Sequence, residues 1–462
     1  MKTCDWIMRI SELIGMFSTY RVSDLLWRCW EKFLEDSERY RNLSVHMKKT
    51  PNNQLQNIKV EEMPVKSELL TILIAVHVYL PSAGGTEQFV HGLVSRLKDN
   101  GHRPVIVAHR ADRKKAFHNE YQGILWRETQ IDGVEVIEYR HVGKLKGLFT
   151  DLLFDDPCIR NFGKFLLEKY KPHVLHLAHL QKGSAFALAC KEQGIPYIVT
   201  LTDFFCLCRY STLIDGQGCY CHRSDCDTRC KSGMQSGSDR YKKAKEILKN
   251  ALAVCVPSGF VARRIHHEYG ILSHIIPHSI NVPNIRFQRE PHETARFLYV
   301  GKLSHHKGIH ILIPVMKKLD FKWELLICGS GNPLYIRKLH KIAGNDERIS
   351  FLGQLTRAEL WNAYVKADVV IVPSVVPETY SFVLHEALAA GCSVAVSPIG
   401  ALPEAIKEGI NGAVFSELSE KEILSGLAAA RACQLIEPPE SGFPDRECQE
   451  YICLYNMGVK GR

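Results

Sequence analysis

Two glutamates separated by seven residues stand in the segment Glu378-Thr-Tyr-Ser-Phe-Val-Leu-His-Glu386. The segment follows the apolar run Val369–Val372 and opens a stretch with helical character. We therefore expect Glu378 in a strand-to-helix loop and Glu386 about two helical turns further on. Carboxylates placed in this way can accept hydrogen bonds from sugar hydroxyls. Taken alone, the same pattern also fits a helix whose acidic first turn is stabilised by its dipole.

A glycine-rich basic segment, Val300-Gly-Lys-Leu-Ser-His-His-Lys-Gly308, precedes these glutamates in the chain. Gly301 permits a tight turn of the backbone, and Lys302 and Lys307 bring positive charge to the end of a predicted strand. The helix that follows offers its N-terminus to the same anion, so the segment suits a pyrophosphate. A basic surface loop is the alternative for either lysine alone.

Alternating strand and helix patterns must position these residues. Leu69–Val76 is a continuous apolar run typical of a strand buried on both faces, and a loop with Gly84 and Gly85 and an amphipathic helix follow it. A second series of strands and helices begins near residue 297. The fold class is therefore α/β, with two doubly wound domains that face a cleft. We predict a domain over residues 66–284 and a second over residues 285–435.

The two ends of the chain follow different patterns. Residues 1–65 contain apolar residues at helical spacing and then a polar linker, which predicts a helical extension. Residues 436–462 contain several prolines and predict an irregular tail. Trp6, Trp27 and Trp30 lie among arginines in the extension, so peripheral contact with an anionic membrane and packing on the first domain both remain open.

The composition is that of a globular protein, with 45% hydrophobic and 24% charged residues. The formal net charge of +9 is spread along the chain without a nucleic-acid-binding motif, so no nucleic-acid partner is expected. No apolar run approaches the roughly 20 residues of a membrane span, and the N-terminus lacks a signal-peptide pattern. We expect a cytoplasmic protein, with contact to the inner face of the membrane as the variant.

Taken in order, these motifs resemble the nucleotide-sugar glycosyltransferases of family 4, a retaining group with the GT-B fold. The resemblance extends over roughly residues 69–415. In the first domain it rests on Gly84-Gly85-Thr-Glu87 and on Pro196-Tyr-Ile-Val-Thr-Leu-Thr-Asp203. In the second it rests on the lysine loop, the paired glutamates and Ile399-Gly400-Ala-Leu-Pro403-Glu404.

The resemblance implies roles for individual residues. Lys302 and Lys307 would hold the donor diphosphate, Glu386 the ribose, and Glu378 the transferred sugar. The expected donor is a UDP- or GDP-sugar, the acceptor is a glycan or a lipid-linked molecule, and the chemistry requires no metal. The donor-binding residues implied in this way are Gly84, Gly85, Lys302, Lys307, Glu378, Thr379, Tyr380, Ser381 and Glu386.

The sequence also departs from the family pattern at several positions. Ala178 stands where the family often has a histidine, so His179 becomes the catalytic candidate and His176 the second choice. Lys302 replaces an arginine, and Ser381 replaces a glycine. GT-B chains commonly end in a long helix that crosses back to the first lobe, and the irregular tail predicted here departs from that pattern too. Two alternatives to an active glycosyltransferase therefore stay open. One is a catalytically silent scaffold in polysaccharide assembly, and the other is a sugar-nucleotide epimerase.

Six of the sixteen cysteines crowd residues 206–230. In a subset of the family cysteines occupy a similar loop, and Cys208, Cys219, Cys226 and Cys230 match them best. Four thiolates in one loop can enclose a tetrahedral zinc ion. Because the spacing is not a pair of C-x-x-C motifs, a structural zinc site and separate reduced thiols both stay open.

Overall fold

The computed structural model describes residues 69–81, 84–110, 116–142, 154–215, 220–221, 230, 237–283, 293–433 and 444–460. The predicted N-terminal helical extension, and with it the predicted membrane contact, lies outside the described residues. Within these ranges the chain forms two lobes, each built on a mainly parallel β-sheet. None of the helices described here combines the length and the apolar character that crossing a bilayer requires.

The N-terminal lobe is built on a sheet with the strand order β3-β4-β5-β2-β1-β6-β7-β8-β9 among the described residues. The central strands are buried on both faces, as their continuous apolar runs predict. The strands are β1 Thr71–Val76, β2 Arg103–His109, β3 Asn119–Tyr121, β4 Ile124–Ile131, β5 Val134–His141, β6 Val174–Leu177, β7 Tyr197–Thr200, β8 Ala253–Val256 and β9 His274–Ile275.

Helices cover both faces of this sheet, and their ends are set by local capping residues. The Asp156 side chain accepts hydrogen bonds from Cys158 N and Ile159 N before the second helix. Left-handed glycines end two others, at Gly194 and Gly270. The helices are α1 Gly85–Asp99, α2 Pro157–Tyr170, α3 Ser184–Gln193, α4 Gly237–Asn250 and α5 Gly259–Tyr269.

The antiparallel edge of this sheet is absent from the sequence prediction, although the sequence carries a signal for it. Strands β4 and β5 are joined at Asp132-Gly133, where both residues have positive φ angles of 52° and 69°. An Asp-Gly pair between two strands is typical of a tight hairpin turn. The prediction was limited to parallel strands and therefore missed this hairpin.

The C-terminal lobe contains a sheet with the order β12-β11-β10-β13-β14-β15 in the described ranges. Its strands are β10 Ala295–Val300, β11 Trp323–Cys328, β12 Ile349–Gly353, β13 Val369–Val372, β14 Ser393–Val396 and β15 Gly412–Val414. Its helices are α6 Ile309–Met316, α7 Pro333–Ala343, α8 Arg357–Lys366, α9 Phe382–Ala389 and α10 Glu420–Ala432, with 3₁₀ turns at His305–Lys307 and Leu402–Ala405. The carboxyl ends of β10 and β13 lie side by side, as a parallel pairing requires.

The prediction of an irregular tail over residues 436–462 is wrong, because Pro444–Lys460 forms a helix, α11. This helix returns to the N-terminal lobe, where Tyr451 and Tyr455 are fully buried in its core. The Glu447 carboxylate accepts a 2.5 Å hydrogen bond from Arg96 of α1. Burial of an apolar helical face outweighs the helix-breaking prolines, which all lie at or before its first residue. One of the features that favoured a silent scaffold, a shortened tail, is therefore absent.

Candidate active site

Two loops of the C-terminal lobe are locked together at the carboxyl ends of β10 and β13. Gly308 has a φ of +74°, and a Cβ atom there would lie 1.8 Å from the carbonyl oxygen of Pro373. His306 O accepts a 2.8 Å hydrogen bond from Val375 N between the same loops. Only glycine permits this approach, which fixes the backbone of Lys307 beside the loop that leads to Glu378.

Lys307 and Glu378 form an ion pair at this edge. Lys307 Nζ donates to Glu378 Oε1 at 2.5 Å, and Ser374 Oγ donates to the same oxygen at 2.6 Å. Burial raises the pKa of the Glu378 carboxyl, but the charge and hydrogen bond of Lys307 and the bond from Ser374 outweigh it, so the pKa is lowered. Glu378 is thus held as an ion, and the Lys307 ammonium keeps further donor capacity for a phosphate.

The backbone of Glu378 is fixed by the glycine turn at Ile399-Gly400. Gly400 has a φ of +69°, and a Cβ atom on it would lie 2.4 Å from Glu378 N. Ala401 N donates to Glu378 O at 2.9 Å. The turn therefore belongs to the wall of the site, which its sequence alone could not establish.

Glu386 lies within α9 and is almost completely buried. Its two carboxylate oxygens accept hydrogen bonds from Arg357 Nη1 at 2.8 Å and from Tyr364 OH at 2.9 Å. The Tyr364 side is enclosed in the core, whereas half of the Arg357 side chain is exposed. A ribose that used Glu386 would approach from the Arg357 side, and sequence reasoning missed this arginine because it lies 29 residues earlier in the chain.

The other residues assigned to the donor differ in their surroundings. Lys302 is exposed to solvent at the end of β10. Thr379 contacts the N-terminal lobe twice, since its hydroxyl donates to Thr202 O at 2.9 Å and its carbonyl accepts from Ser258 Oγ at 2.7 Å. The Tyr380 hydroxyl donates to His278 O at 2.5 Å. The side chains of Thr379 and Tyr380 and the carbonyl of Thr379 thus join the two lobes.

Ser381 adopts a conformation that L-residues rarely take, with φ 76° and ψ 91°. It precedes α9, and its hydroxyl accepts a 3.4 Å hydrogen bond from Leu384 N. The glycine common at this position in the resembling family would adopt this φ without strain.

Gly84 and Gly85 lie at the start of α1, at the edge of the N-terminal lobe that faces the second domain. A Cβ atom on Gly85 would lie 3.4 Å from the ring of Phe382, the first residue of α9. Thr86, which follows, donates to Thr202 Oγ1 at 2.8 Å. The glycine loop is therefore brought next to the glutamate segment, as the predicted cleft requires.

His179 follows β6 and is held in one orientation by two contacts. Its Nδ1 accepts a 3.1 Å hydrogen bond from Gln181 N, and its Nε2 lies 3.0 Å from Asp203 Oδ2. Burial lowers the pKa of His179, but the Asp203 carboxylate outweighs it and the pKa is raised. Asp203 also accepts a 2.9 Å hydrogen bond from Ser211 Oγ. The histidine, the aspartate and the serine form one polar network after β6 and β7.

His176, the second candidate, is part of the core. Its ring nitrogens lie 2.8 Å from Tyr455 OH and 2.7 Å from Thr200 Oγ1, and burial lowers its pKa to about 3. Because a side chain enclosed by the returning helix cannot meet a substrate, the structure excludes His176 from the site. Sequence reasoning missed His77, which follows β1 with its ring 5.6 Å from that of His179.

Two of the four candidate zinc ligands lie among the described residues. Cys208 is buried and Cys230 is partly buried, whereas Cys219 and Cys226 lie outside the described residues. No group of three or more metal-ligating side chains occurs in the part of the chain that the structure describes. The prediction of a structural zinc ion stays a prediction.

Two known protein families match the chain one after the other. Residues 83–283 match Glycosyltransferase Family 4, and residues 282–437 match Glycosyl transferases group 1. The junction falls in the segment between β9 and β10, where the first lobe ends and the second begins.

Individual relatives match shorter segments. An uncharacterized glycosyltransferase of Methanocaldococcus jannaschii is 41% identical over 118 residues, which are 25% of this chain and 30% of that protein. The D-inositol 3-phosphate glycosyltransferase of Corynebacterium efficiens is 36% identical over 25% of this chain and 29% of its own length. The lipopolysaccharide 1,2-N-acetylglucosaminetransferase of Salmonella typhimurium is 29% identical over 41% and 50%. The chain thus spans about a third to a half of these relatives.

Solved structures share this two-lobed fold over 84% to 85% of the chain. Sucrose-phosphate synthase from Thermosynechococcus elongatus superposes with a TM-score of 0.60 at 19% identity, over 85% of this chain and 94% of its own. The Anabaena protein HepE, solved with UDP and glucose, has a TM-score of 0.59 at 16% identity, over 84% and 100%. Two parallel-sheet lobes that meet at a cleft define the GT-B class. The chain thus has the GT-B fold, with a first domain similar to Glycosyltransferase Family 4 and a second similar to Glycosyl transferases group 1.

Proposed function

We propose that this protein transfers a sugar from a nucleotide-sugar donor to an acceptor hydroxyl with retention of the anomeric configuration. The observation that carries the proposal is the Lys307–Glu378 pair, which two strand ends and the close approaches of Gly308 and Gly400 hold where the lobes meet. The donor is a UDP- or GDP-sugar, and the acceptor is a glycan or lipid-linked molecule. The reaction needs no metal ion, because lysine charge is available for the diphosphate.

In the proposed reaction the acceptor oxygen attacks the anomeric carbon from the face that the nucleoside diphosphate leaves. The bond between that carbon and the phosphate oxygen breaks, and the acceptor proton passes to the departing phosphate. Lys307 and Lys302 stabilise the charge that develops on the diphosphate. Glu378 accepts hydrogen bonds from the sugar hydroxyls, and Glu386 with Arg357 holds the ribose.

His179 has a different part in this proposal. Its Nε2 faces Asp203 and its Nδ1 contacts Gln181 N, which fixes the orientation of the ring. We assign it to the placement of the sugar and acceptor on the N-terminal side of the cleft. The proposed site thus takes charge neutralisation from the second lobe and orientation from the first.

A thermal-shift screen against UDP-, GDP- and ADP-sugars tests the proposal at the binding step. A ligand that binds only the native state raises the melting temperature, and a concentration of 100 times Kd stabilises by about 2.7 kcal/mol. We expect one nucleotide class to stabilise the wild type and to have a much smaller effect on Lys307→Ala. Transfer is then followed with that donor by mass spectrometry, and the anomeric configuration of the product by NMR.

Two results contradict the proposal. If no nucleotide sugar shifts the melting temperature, or if Lys307→Ala responds like the wild type, the lysine loop does not bind a donor. Nucleotide release without a second sugar product would instead favour the epimerase alternative.

A further inference from the structure

Arg209 is a buried arginine that has no counter-charge among the residues that the structure describes. It lies in the loop after β7, and only 5% of its surface is exposed. Its Nε and Nη1 atoms are buried and have no hydrogen-bond partner, and no ion pair to Arg209 occurs within the described ranges. Among the described residues, the centroid of the Tyr210 ring lies 6.0 Å from the guanidinium carbon.

The backbone that carries Arg209 is firmly held. Cys208 N donates to Phe204 O at 2.7 Å, which closes a turn just before the arginine. Arg240 Nη2 donates to Phe205 O at 2.8 Å, and Tyr269 OH donates to Cys206 O at 2.6 Å. A mobile surface loop therefore does not explain the position of the guanidinium.

An uncompensated buried guanidinium is costly, because it stays charged at every physiological pH. Other buried or partly buried arginines in the described part of the chain illustrate the usual solution. Arg96 is paired with Glu447, and Arg240 donates to a carbonyl and lies over the rings of Phe154 and Phe205. Within the described ranges Arg209 Nε and Nη1 lack such partners, and an anionic ligand would supply them.

The place of Arg209 in the fold indicates which ligand this is. Ser211, two residues further on, donates to Asp203, and Asp203 is paired with His179 at the cleft. The same loop begins at Thr202, whose carbonyl accepts the Thr379 hydroxyl of the other lobe. The Asp203 carboxylate is already engaged by His179 and Ser211, which leaves the Arg209 guanidinium for another anion.

We propose that Arg209 binds a phosphate or carboxylate group of the acceptor, so that the acceptor is an anionic molecule. The inference rests on the proposed function, because it takes the N-terminal side of the cleft as the acceptor side. It also specifies that function, since a neutral glycan would leave the guanidinium unpaired. The planar fork of the arginine suits either anion through two parallel hydrogen bonds.

Isothermal titration with matched sugars tests the proposal. The probes are glucose 6-phosphate, glucuronate and neutral glucose, each added to the full chain with and without the nucleotide selected by the donor screen. We expect the phosphate probe, the carboxylate probe or both to bind the wild type, and neutral glucose to bind far more weakly. Arg209→Met should weaken the anionic probe by about 10- to 100-fold and leave nucleotide binding unchanged.

Three further variants separate the sources of any effect. Arg209→Lys should recover part of the affinity, because it restores charge without the fork. Arg348→Met, which removes an arginine paired with Asp346 in the other lobe, should bind the probes as the wild type does. Lys307→Ala should lose nucleotide affinity but keep the anionic probe. Nucleotide binding in these titrations tests the proposed function separately.

The melting temperature distinguishes a ligand site from a structural role. If Arg209 is paired only when an anionic ligand is bound, Arg209→Met removes an uncompensated charge from the ligand-free protein. The variant should then melt at the same temperature as the wild type or at a higher one. A marked fall in melting temperature together with unchanged probe affinity would overturn the proposal. So would anionic probes that do not bind the wild type under either condition, or binding lost in Lys307→Ala but kept in Arg209→Met.

Discussion

The two sides of the cleft use charge differently. On the C-terminal side the lysine and the carboxylates are already paired with one another, as Lys307 with Glu378 and Arg357 with Glu386. On the N-terminal side one pair, His179 with Asp203, lies near Arg209, which has no counter-charge among the described residues. The C-terminal side is arranged before any ligand arrives, whereas the N-terminal side is completed by its ligand.

This difference follows from how each side is built. The C-terminal site comes mainly from two loops at neighbouring strand ends, fixed by Gly308 and Gly400. The N-terminal site also comes from two neighbouring strand ends, those of β6 and β7, but the loop after β7 continues from there to Arg209. A site whose charged side chains are paired with one another suits a ligand group that does not change. A site built on a loop can be adapted to a different ligand by changes at single loop residues.

Lys307→Ala tests this difference between the two sides most directly, because it removes the lysine that is paired with Glu378 on the C-terminal side. We expect kcat/KM to fall by about 10²- to 10³-fold, as for the loss of one preorganised donor to a developing charge. Lys302→Ala, the matched control in the same loop, should have a smaller effect because Lys302 is exposed. Equal effects of the two changes would show that only net charge matters and that the geometry around Gly308 does not.

The sequence indicates where the residues of this half of the site lie more directly than where those of the other half lie, for a physical reason. Glu378, Glu386 and Lys307 lie in short segments where residue type, strand end and helix start can be read together. Arg357 and Ser374 are placed only by tertiary packing. On the other side, His176 and His179 are equivalent in sequence, and the returning helix α11 decides that His176 is enclosed. That helix was itself predicted to be irregular, so the distinction was beyond sequence reasoning.

The two glutamates should separate binding from turnover. Glu386→Ala should raise KM for the donor, because its carboxylate lies on the proposed ribose side, whereas Glu378→Ala should mainly lower kcat. Each change should cost about 2–3 kcal/mol of transition-state stabilisation. Steady-state kinetics over a range of donor concentrations measure both parameters. Arg357→Ala should follow Glu386→Ala, and wild-type kinetics in all three variants would contradict the assignment.

The pH dependence of stability should differ between the two sides. The pKa of Glu378 is lowered, so its ion pair stabilises the fold above the ordinary glutamate value of 4.5 and is lost as the pH falls through the lowered pKa. The pKa of His179 is raised, so protonation of His179 stabilises the fold below 6.5, and this contribution is lost as the pH rises through the raised pKa.

Melting temperatures between about pH 3 and about pH 8.5 test this, with Glu378→Gln and His179→Gln compared to the wild type (the range extends about one and a half to two units beyond the ordinary values). The difference in melting temperature between Glu378→Gln and the wild type should shrink at the acid end of this range. The difference between His179→Gln and the wild type should shrink at the alkaline end. If both differences shrink at the same end, one of the two ion pairs is assigned the wrong charge state.

The smallest expected effect concerns Ser381, which lies between the two glutamates. Its φ of 76° is strained for a serine, and relief of such strain is worth about 1–3 kcal/mol. Glycine adopts this angle freely, and replacing a serine by glycine at a helix N-cap costs only a few tenths of a kcal/mol. Ser381→Gly should therefore raise the stability of the protein by about 1 kcal/mol, measured as a higher melting temperature.

Ser381→Ala is the control, because it keeps the strain, loses the weak bond to Leu384 N, and should lower the melting temperature. Should Ser381→Gly melt below the wild type, the serine hydroxyl contributes more than its 3.4 Å bond indicates. If instead the glycine variant is more stable and its donor KM is unchanged, the strain serves no purpose on the donor side. The placement of Glu378 would then depend on Lys307, Ser374 and the close approaches of Gly308 and Gly400, without a contribution from the strain at Ser381.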